Sequence, residues 1–419
     1  MDLEFLFDIV CPYAWMAATQ IDGLAARTGA RLVWRPVLLG GMLKALGEEG
    51  GLPRSSTWSP AREEMGRLDV ERMARLRGLP YQRNPAHPVR TLEAMRLLQA
   101  TDEPLRGRLA LRLFEAIHVQ GLDLSDRDIL ASLAAEQGQT LDPIDRPATK
   151  AALRASTEAA LEEGVFGVPT FRAQGRFWWG ADRMHLVEAA LRGHRTRARA
   201  PVDLQGHGAV PVSPAMAPPP ARVEVFHDIA SPYSYLGFTQ IEGLARAHGA
   251  ELVWRPMLLG ALFRQIGTPN VPIAAMNASR ARYLAQDLAD HAAWWDVPFA
   301  FPSCFPVRTV LAMRVCLAEP RAAAPLYEAL WVHDRDVSRP EVVAAVLAEH
   351  GLSPTLLQAA ETEAIKAQLQ ANTERAVQLG ACGAPSFFVE SRDRPGILIW
   401  GQDRLDLLGA CLDGWRPQA

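Results

Sequence analysis

DIVCPYAW, from Asp8 to Trp15, returns as DIASPYSY, from Asp228 to Tyr235, with Cys11 of the first copy replaced by Ser231 in the second. The likeness spreads outward from this pair. IDGLAARTGARLVWRPVLLGG (Ile21 to Gly41) lies without gaps on IEGLARAHGAELVWRPMLLGA (Ile241 to Ala261) and is identical at 14 of 21 positions. HPVRTLEAMR (His87 to Arg96) matches FPVRTVLAMR (Phe305 to Arg314), STEAALEEGVFGVPTF (Ser156 to Phe171) matches NTERAVQLGACGAPSF (Asn372 to Phe387), and WGADR (Trp179 to Arg183) matches WGQDR (Trp400 to Arg404). The offset between copies stays between 216 and 221 residues, so the halves differ by small loop changes. Solenoid units run about 20 to 50 residues, so a repeat of this length is a duplicated whole domain.

A chain of 419 residues exceeds what one core usually supports. The sequence divides into domains at 1–195 and 221–419, joined by a linker at 196–220. Around that linker, GHRTRARAPVDLQGHGAVPVSPAMAPPPA (Gly193 to Ala221) loses hydrophobic periodicity and is rich in Pro, Ala and Gly. Such a segment is semi-extended and, at about 3 Å per residue, reaches across a domain. A net charge of -3, with no basic stripe beyond Arg192, Arg195, Arg197 and Arg199, gives no electrostatic footprint for nucleic acid. No apolar run is long enough to span a bilayer, and the first residues carry acids where a leader would be basic, so a cytoplasmic location is the default expectation. Five cysteines without CxxC spacing suggest neither a disulfide framework nor a zinc site.

Each half opens with a short apolar strand, LEFLF (Leu3 to Phe7) or VEVFH (Val223 to His227), followed by the CPYA or SPYS turn and a helix. Gly29 and Gly249 are the expected left-handed stops of that helix. LVWRPVLL and LVWRPMLL read as buried strands of a parallel pair, which makes a βαβ unit. A long stretch of helical periodicity follows, including VRTLEAMRLLQA (Val89 to Ala100) and YLAQDLADHAAWW (Tyr283 to Trp295). VPTF or APSFF, a second short strand ending in Trp-Gly and a last helix close each half. The expectation is an α/β protein of two thioredoxin-like domains, each interrupted by a large helical insertion.

These motifs together, SPYS, VWRP(M/V)LLG, FPVRT, G-x-P-(T/S)-F and WGQDR, resemble 2-hydroxychromene-2-carboxylate isomerases and kappa-class glutathione transferases, within the DsbA-like group of thioredoxin folds. The resemblance covers both halves nearly end to end. It implies glutathione as cofactor, Ser231 as the residue that lowers the pKa of its thiol, and reversible thiolate addition to an unsaturated or aromatic carbonyl or carboxylate compound. Family members are commonly twofold dimers, so the two halves are expected to form an intramolecular pseudo-dimer.

Ser231 falls where strand gives way to helix, a place that favours an anion, and a hydroxyl there can donate to a thiolate. Ser followed by Pro is equally a preferred helix cap. Cys11 occupies the same niche, where a thiol is expected to ionise readily. Ala14 stands at the CxxC partner position, which leaves a glutathionylation site, a nucleophile or an inert buried thiol.

By resemblance, Pro169 and Pro385 match the family's cis-proline, whose preceding residue, Val168 or Ala384, pairs with the cysteinyl part of glutathione. Gly401, Gln402, Asp403 and Arg404 match the loop that holds the γ-glutamyl end, and Asn270 and Arg280 match positions that contact the remaining polar groups. The first half keeps Asp182, Arg183 and Arg62, the last aligned to Arg280. It has Leu52 near the Asn270 position, Met65 for Tyr283 and Ala181 for Gln402. Its glutathione site reads as depleted. Trp34, Trp254, Trp294, Trp295 and Trp331 are candidates for an aromatic pocket or for core. His87, opposite Phe305, and His333, in a WVHDRD segment absent from the first half, are candidate acid/base groups or plain polar residues. A kappa-class transferase or peroxidase, a Cys11-based redox protein and a non-catalytic binding protein are the alternatives.

Overall fold

The computed structural model describes residues 1–47, 59–194, 221–391 and 394–417. Leu52 and the linker at 196–220 lie outside the described residues.

Strand β1 (Asp2–Phe7) leads through helix Pro12–Thr28 to β2 (Arg31–Pro36), and after the helical insertion come β3 (Thr170–Ala173), β4 (Arg176–Trp179) and helix Met184–Leu191. The second half repeats this as β5 (Arg222–His227), helix Pro232–Ala247, β6 (Glu251–Pro256), insertion, β7 (Ser386–Ser391), β8 (Arg394–Trp400) and helix Leu405–Leu412. The sheets run β2-β1-β3-β4 and β6-β5-β7-β8. The first pair in each is parallel and the others antiparallel, with Phe5 level with Trp34 and Phe171, and Val225 level with Trp254 and Phe387.

Local chemistry sets these elements. Pro12 and Pro232 supply the first helical residue, where a missing N–H costs nothing. Gly29 ends its helix at φ 67°, a conformation that disfavours residues with a Cβ. The strand read as LVWRPVLL stops at Pro36, and Leu39 already begins a helix. β2 and β6 are also edge strands and only partly buried, so their apolar run does not mark a fully covered strand. The covered strands are β1 and β5, whose Phe5, Phe7, Val225 and Phe226 are at most 1% exposed. Full burial of such side chains contributes about 1.5–3 kcal/mol each. Trp34 is buried edge-on against Phe5 and Phe7, and the partly buried Trp254 packs tilted against Phe238 and edge-on against His227, so both join the apolar core.

The insertions also reach across the molecule. Helix Ala278–Trp295 of the second half runs along β4, the outer strand of the first sheet: Gln286 Nε2 donates to Phe177 O (2.8 Å), Trp179 N donates to Tyr283 Oη (2.9 Å), and Asp290 takes Arg176 and Trp178 Nε1. Helix Pro60–Leu76 of the first half meets β8 in the same way, with Arg72 Nη1 donating to Leu398 O at 2.6 Å. The β4 and β8 edges are thereby covered by the other half, which removes them as templates for further strand pairing. Buried side chains of β5, β7 and β8, among them Val223, Phe387 and Ile399, continue the apolar cluster of the first half.

Candidate functional site

Ser231 caps helix Pro232–Ala247: its Oγ accepts from Ser234 N (3.1 Å) and donates to Ala384 O (2.9 Å). The Ala384–Pro385 bond is cis, and Ser231 is 5% exposed. The cap expected from sequence and the position expected of a thiol-activating hydroxyl are therefore the same atom. Gly383, two residues before the proline, lies so close to Trp400 that a Cβ there would meet the indole at 2.5 Å. Asp228 fixes the turn from below, accepting Ala230 N and Thr309 Oγ1 on one oxygen and Leu259 N on the other. Burial raises its carboxyl above the ordinary range, and these hydrogen bonds oppose the rise.

In the first half Cys11 Sγ reaches Val168 O at 3.4 Å, beside cis Val168–Pro169, and caps nothing. The expectation that this niche eases thiol ionisation is reversed. Burial pushes the Cys11 thiol up to about 12, against the pull of the Ala14 and Tyr13 amides, because a thiolate with 8% exposure loses its hydration.

Behind Ser231 lies a polar chain that sequence reading missed. Tyr327 Oη donates to Ser234 Oγ (2.9 Å) and faces His227 Nδ1 (3.2 Å), all three buried. Burial lowers His227 to about 3, so the ring facing Tyr327 is neutral. Phe7, Phe114 and Ala14 take the equivalent places behind Cys11, and all are apolar and buried. The signal was present as paired substitutions, but they are distant in sequence and converge only in the fold.

Asp182, Arg183, Asp403 and Arg404 come together with one another, across the halves. Arg183 grips Asp287 through Nε (3.0 Å) and Nη2 (3.1 Å) and reaches Asp403 with Nη1 (2.6 Å). Arg404 does the same with Asp69 (2.7 and 2.9 Å) and Asp182 (2.6 Å). The motif tyrosines join in: Tyr13 Oη donates to Asp69 and Tyr233 Oη to Asp287. Burial works against ionisation of Asp182 and Asp287, but the neighbouring guanidiniums outweigh it and hold both below the usual carboxylate range. Gly401 and Gly180 open these loops at φ 102° and 112°, where glycine is favoured.

Arg280 does not join Ser231. Its guanidinium stands over Trp179 (5.2 Å) and Phe166 (5.8 Å) of the first half, while Arg62 stands over Trp400 (5.6 Å) beside the Ser231 turn. The helices that carry these arginines have crossed to the other half's sheet edge, and sequence alignment within a half cannot show that. Asn270 remains on the Ser231 side, exposed, with its Oδ1 against Gly260. Gln402 is 1% exposed; its Oε1 accepts from Trp295 Nε1 (3.3 Å), and its Nε2 is buried without a partner among the described residues. Ala181, its counterpart, is buried and offers no polar group. Trp294 packs against His185 of the first half.

Two histidine readings change. WVHDRD is not extra: Ala300 N donates to Trp331 O as Gln82 N donates to His118 O, so Trp331–Asp336 corresponds to His118–Asp123. His333 is exposed on that loop. His87 is half-buried, and burial lowers its pKa.

The DSBA-like thioredoxin domain family matches residues 2–192 and again 222–413. Human glutathione S-transferase kappa 1 is 30% identical over 214 residues, covering 47% of this chain and 93% of that protein. The 2-hydroxychromene-2-carboxylate isomerase of Sphingobium xenophagum is 26% identical over 193 residues, covering 45% and 97%. A solved 2-hydroxychromene-2-carboxylate isomerase superposes with a TM-score of 0.42 at 23% identity, covering 46% of this chain and 95% of that one. Among the described residues no helix is long and apolar enough to cross a membrane. With two matches that together span most of its length, the chain belongs to the DSBA-like thioredoxin domain family and carries the domain twice.

Proposed function

We propose that the chain is a glutathione-dependent isomerase of the 2-hydroxychromene-2-carboxylate isomerase type, with its working site in the Ser231 half. The observation that carries this reading is the Ser231 hydroxyl, held between the Ser234 amide and the Ala384 carbonyl at a helix start. Its oxygen already accepts one hydrogen bond, so its proton can turn from Ala384 O to a sulfur placed beside the cis-proline.

The residues suit a thiol tripeptide: a hydroxyl donor for sulfur, backbone at Ala384 next to cis-Pro385, and the buried Gln402 amide with a donor to spare. Glutathione bound there supplies a thiolate nucleophile that adds to an unsaturated or aromatic carbonyl or carboxylate compound and leaves unchanged. Ser231 favours the ionised thiol by donating to it, and the positive end of helix Pro232–Ala247 acts in the same sense. Asn270 and the Gly401–Arg404 loop are proposed to orient the tripeptide, and Arg62, over Trp400, to complete the site from the first half. Beside Cys11 stand Val168 and cis-Pro169, and Ala181 takes the place of Gln402; Asp182, Arg183 and Arg280 are proposed to belong to that side. The reciprocal pairs of Arg183 with Asp403 and of Arg404 with Asp182 support reading the halves as an intramolecular pseudo-dimer.

A kappa-class transferase is the second reading, favoured by the 30% identity to human glutathione S-transferase kappa 1. Turnover of an unsaturated aromatic 2-oxo acid separates the two: free glutathione stays constant for an isomerase and falls one-for-one with product for a transferase. Ser231→Ala removes a hydrogen bond to a charged sulfur, which is about 1.5–3 kcal/mol and so about a 10- to 100-fold loss in kcat/KM. Full activity in that variant would overturn the assignment of Ser231.

A further inference from the structure

Beside each motif turn stands a wall of rings, and the two walls differ chemically. In the second half Trp331 donates its Nε1–H to Ile229 O (2.8 Å) and Tyr235 donates to Pro298 O (2.8 Å), which pins the wall to the turn that carries Ser231. Phe299 stacks on Trp331 (5.8 Å, 10°) and on Tyr235 (6.4 Å, 23°). Phe301 stands edge-on to Phe305 (5.1 Å) and to Trp331 (5.8 Å). Phe301 is 45% exposed; apart from Met1 it is the exposed large apolar side chain among the described residues.

The first half has the same scaffold with other side chains. His118 replaces Trp331 and reaches the Ile9 carbonyl through Nε2 (2.9 Å), with Tyr81 stacked on it where Phe299 stacks on Trp331. Arg83 and His87 stand in the places of Phe301 and Phe305. The backbone is conserved between the copies, since the cis bonds His87–Pro88 and Phe305–Pro306 also correspond. Only the ring chemistry has changed, from polar and cationic beside Cys11 to purely aromatic beside Ser231.

We infer that Phe301 and Phe305 determine specificity by receiving the aromatic ring of the substrate next to the sulfur held at Ser231, and that the first half lacks this subsite. The inference rests on the proposed glutathione site. The exposed Phe301 ring, backed by the half-buried Phe305, loses water to a flat ring, and edge or stacked contacts add to that gain. A bare carboxylate finds no hydrogen-bond donor on these rings, whereas Arg83 and His87 offer charge and hydrogen bonds instead.

Calorimetric titration of the full chain with S-methylglutathione and with S-(4-nitrobenzyl)glutathione tests this. The nitrobenzyl compound is expected to bind about tenfold tighter or more, as two aromatic contacts allow. Phe301→Arg, and Phe301→Arg with Phe305→His, should bring that ratio towards one while S-methylglutathione affinity stays unchanged. The exposed Phe301 change alone serves if the double variant does not fold. Arg83→Phe should leave the ratio as in the parent. A ratio unaffected by Phe301→Arg overturns the specificity assignment while leaving the glutathione site intact, and failure of S-methylglutathione to bind the parent chain overturns both.

Discussion

The Arg183 guanidinium of the first half lies 2.6 Å from the Asp403 carboxylate of the second, and the motif counterparts Arg404 and Asp182 meet at the same distance. Reciprocal contacts of this kind are what the proposed pseudo-dimer of the two halves requires. All four residues come from the W-G-x-D-R loops, so the loop that follows each cis-proline hairpin also fastens the halves together. Geometry at either candidate site is tied to the interface. Divergence of one half is then constrained by the need to keep the other in place.

Asp287→Asn should be strongly destabilising, because it leaves the buried Arg183 with a neutral partner and replaces one of the two oxygens that accept from Arg183, Tyr233 and Tyr283 with a donor. Breaking one side of a buried pair costs about 3–5 kcal/mol. Chemical denaturation of parent and variant measures it. Loss below 1 kcal/mol would mean that the network behaves like a surface pair. Asp182 and Asp287 have folded-state carboxyls below their unfolded range, so their contribution is present above about pH 4 and fades as pH falls further.

Cys11 should alkylate very slowly. With its thiol pushed up to about 12, its thiolate fraction at neutral pH lies about a thousandfold below that of a free cysteine. Intact-mass spectrometry after iodoacetamide treatment, followed by peptide mapping, should find Cys11 unmodified while a model thiol reacts fully. Cys11→Ser should leave glutathione-dependent turnover as in the parent. Rapid labelling of Cys11, or activity lost with it, would restore a redox role for the first half.

The element order was legible because strand, turn, helix and second strand each carry local punctuation: Pro12 and Pro232, Gly29 and Gly249, and the apolar runs beside them. Ser231 and cis-Pro385 were legible for the same reason, being short motifs with a fixed place relative to one helix start. Contacts that need the third dimension were not. Arg280 aligns with a residue of its own half's site yet stacks on Trp179 of the other, because helix Ala278–Trp295 crosses to the edge of the first sheet. Nothing in a one-dimensional comparison distinguishes those two addresses. The His227, Tyr327 and Ser234 chain was hidden likewise, since its members lie about a hundred residues apart in the case of His227 and Tyr327.

His227 gives the second half a pH dependence of its own. Its folded pKa near 3 lies below the ordinary histidine value, so stability from the neutral form is complete above about pH 6.5 and is lost as pH falls towards 3. The slope from this one group approaches about 1.4 kcal/mol per pH unit. His118, lowered by burial to about 4, adds a similar loss from the first half. His227→Phe, which installs the residue found at Phe7, should flatten the denaturation free energy between those limits relative to the parent. An unchanged pH profile would show that His227 is protonated at little cost.

Arg62 and Arg280 give the sharpest separation between a site read along one half and a site assembled from both. Arg62 stands over Trp400, which packs on Gly383 beside the Ser231 turn, whereas Arg280 stands over Trp179 and Phe166 beside Cys11. If glutathione sits at Ser231, Arg62→Ala should weaken its binding several-fold, in keeping with about 0.5–2 kcal/mol for a cation held against a ring and near an anionic ligand. Arg280→Ala should leave that affinity unchanged while altering the Cys11 side. Calorimetric titration of glutathione into both variants decides it. The opposite result, with Arg280 sensitive and Arg62 silent, would place glutathione in the first half, and equal sensitivity would mean that both halves bind it.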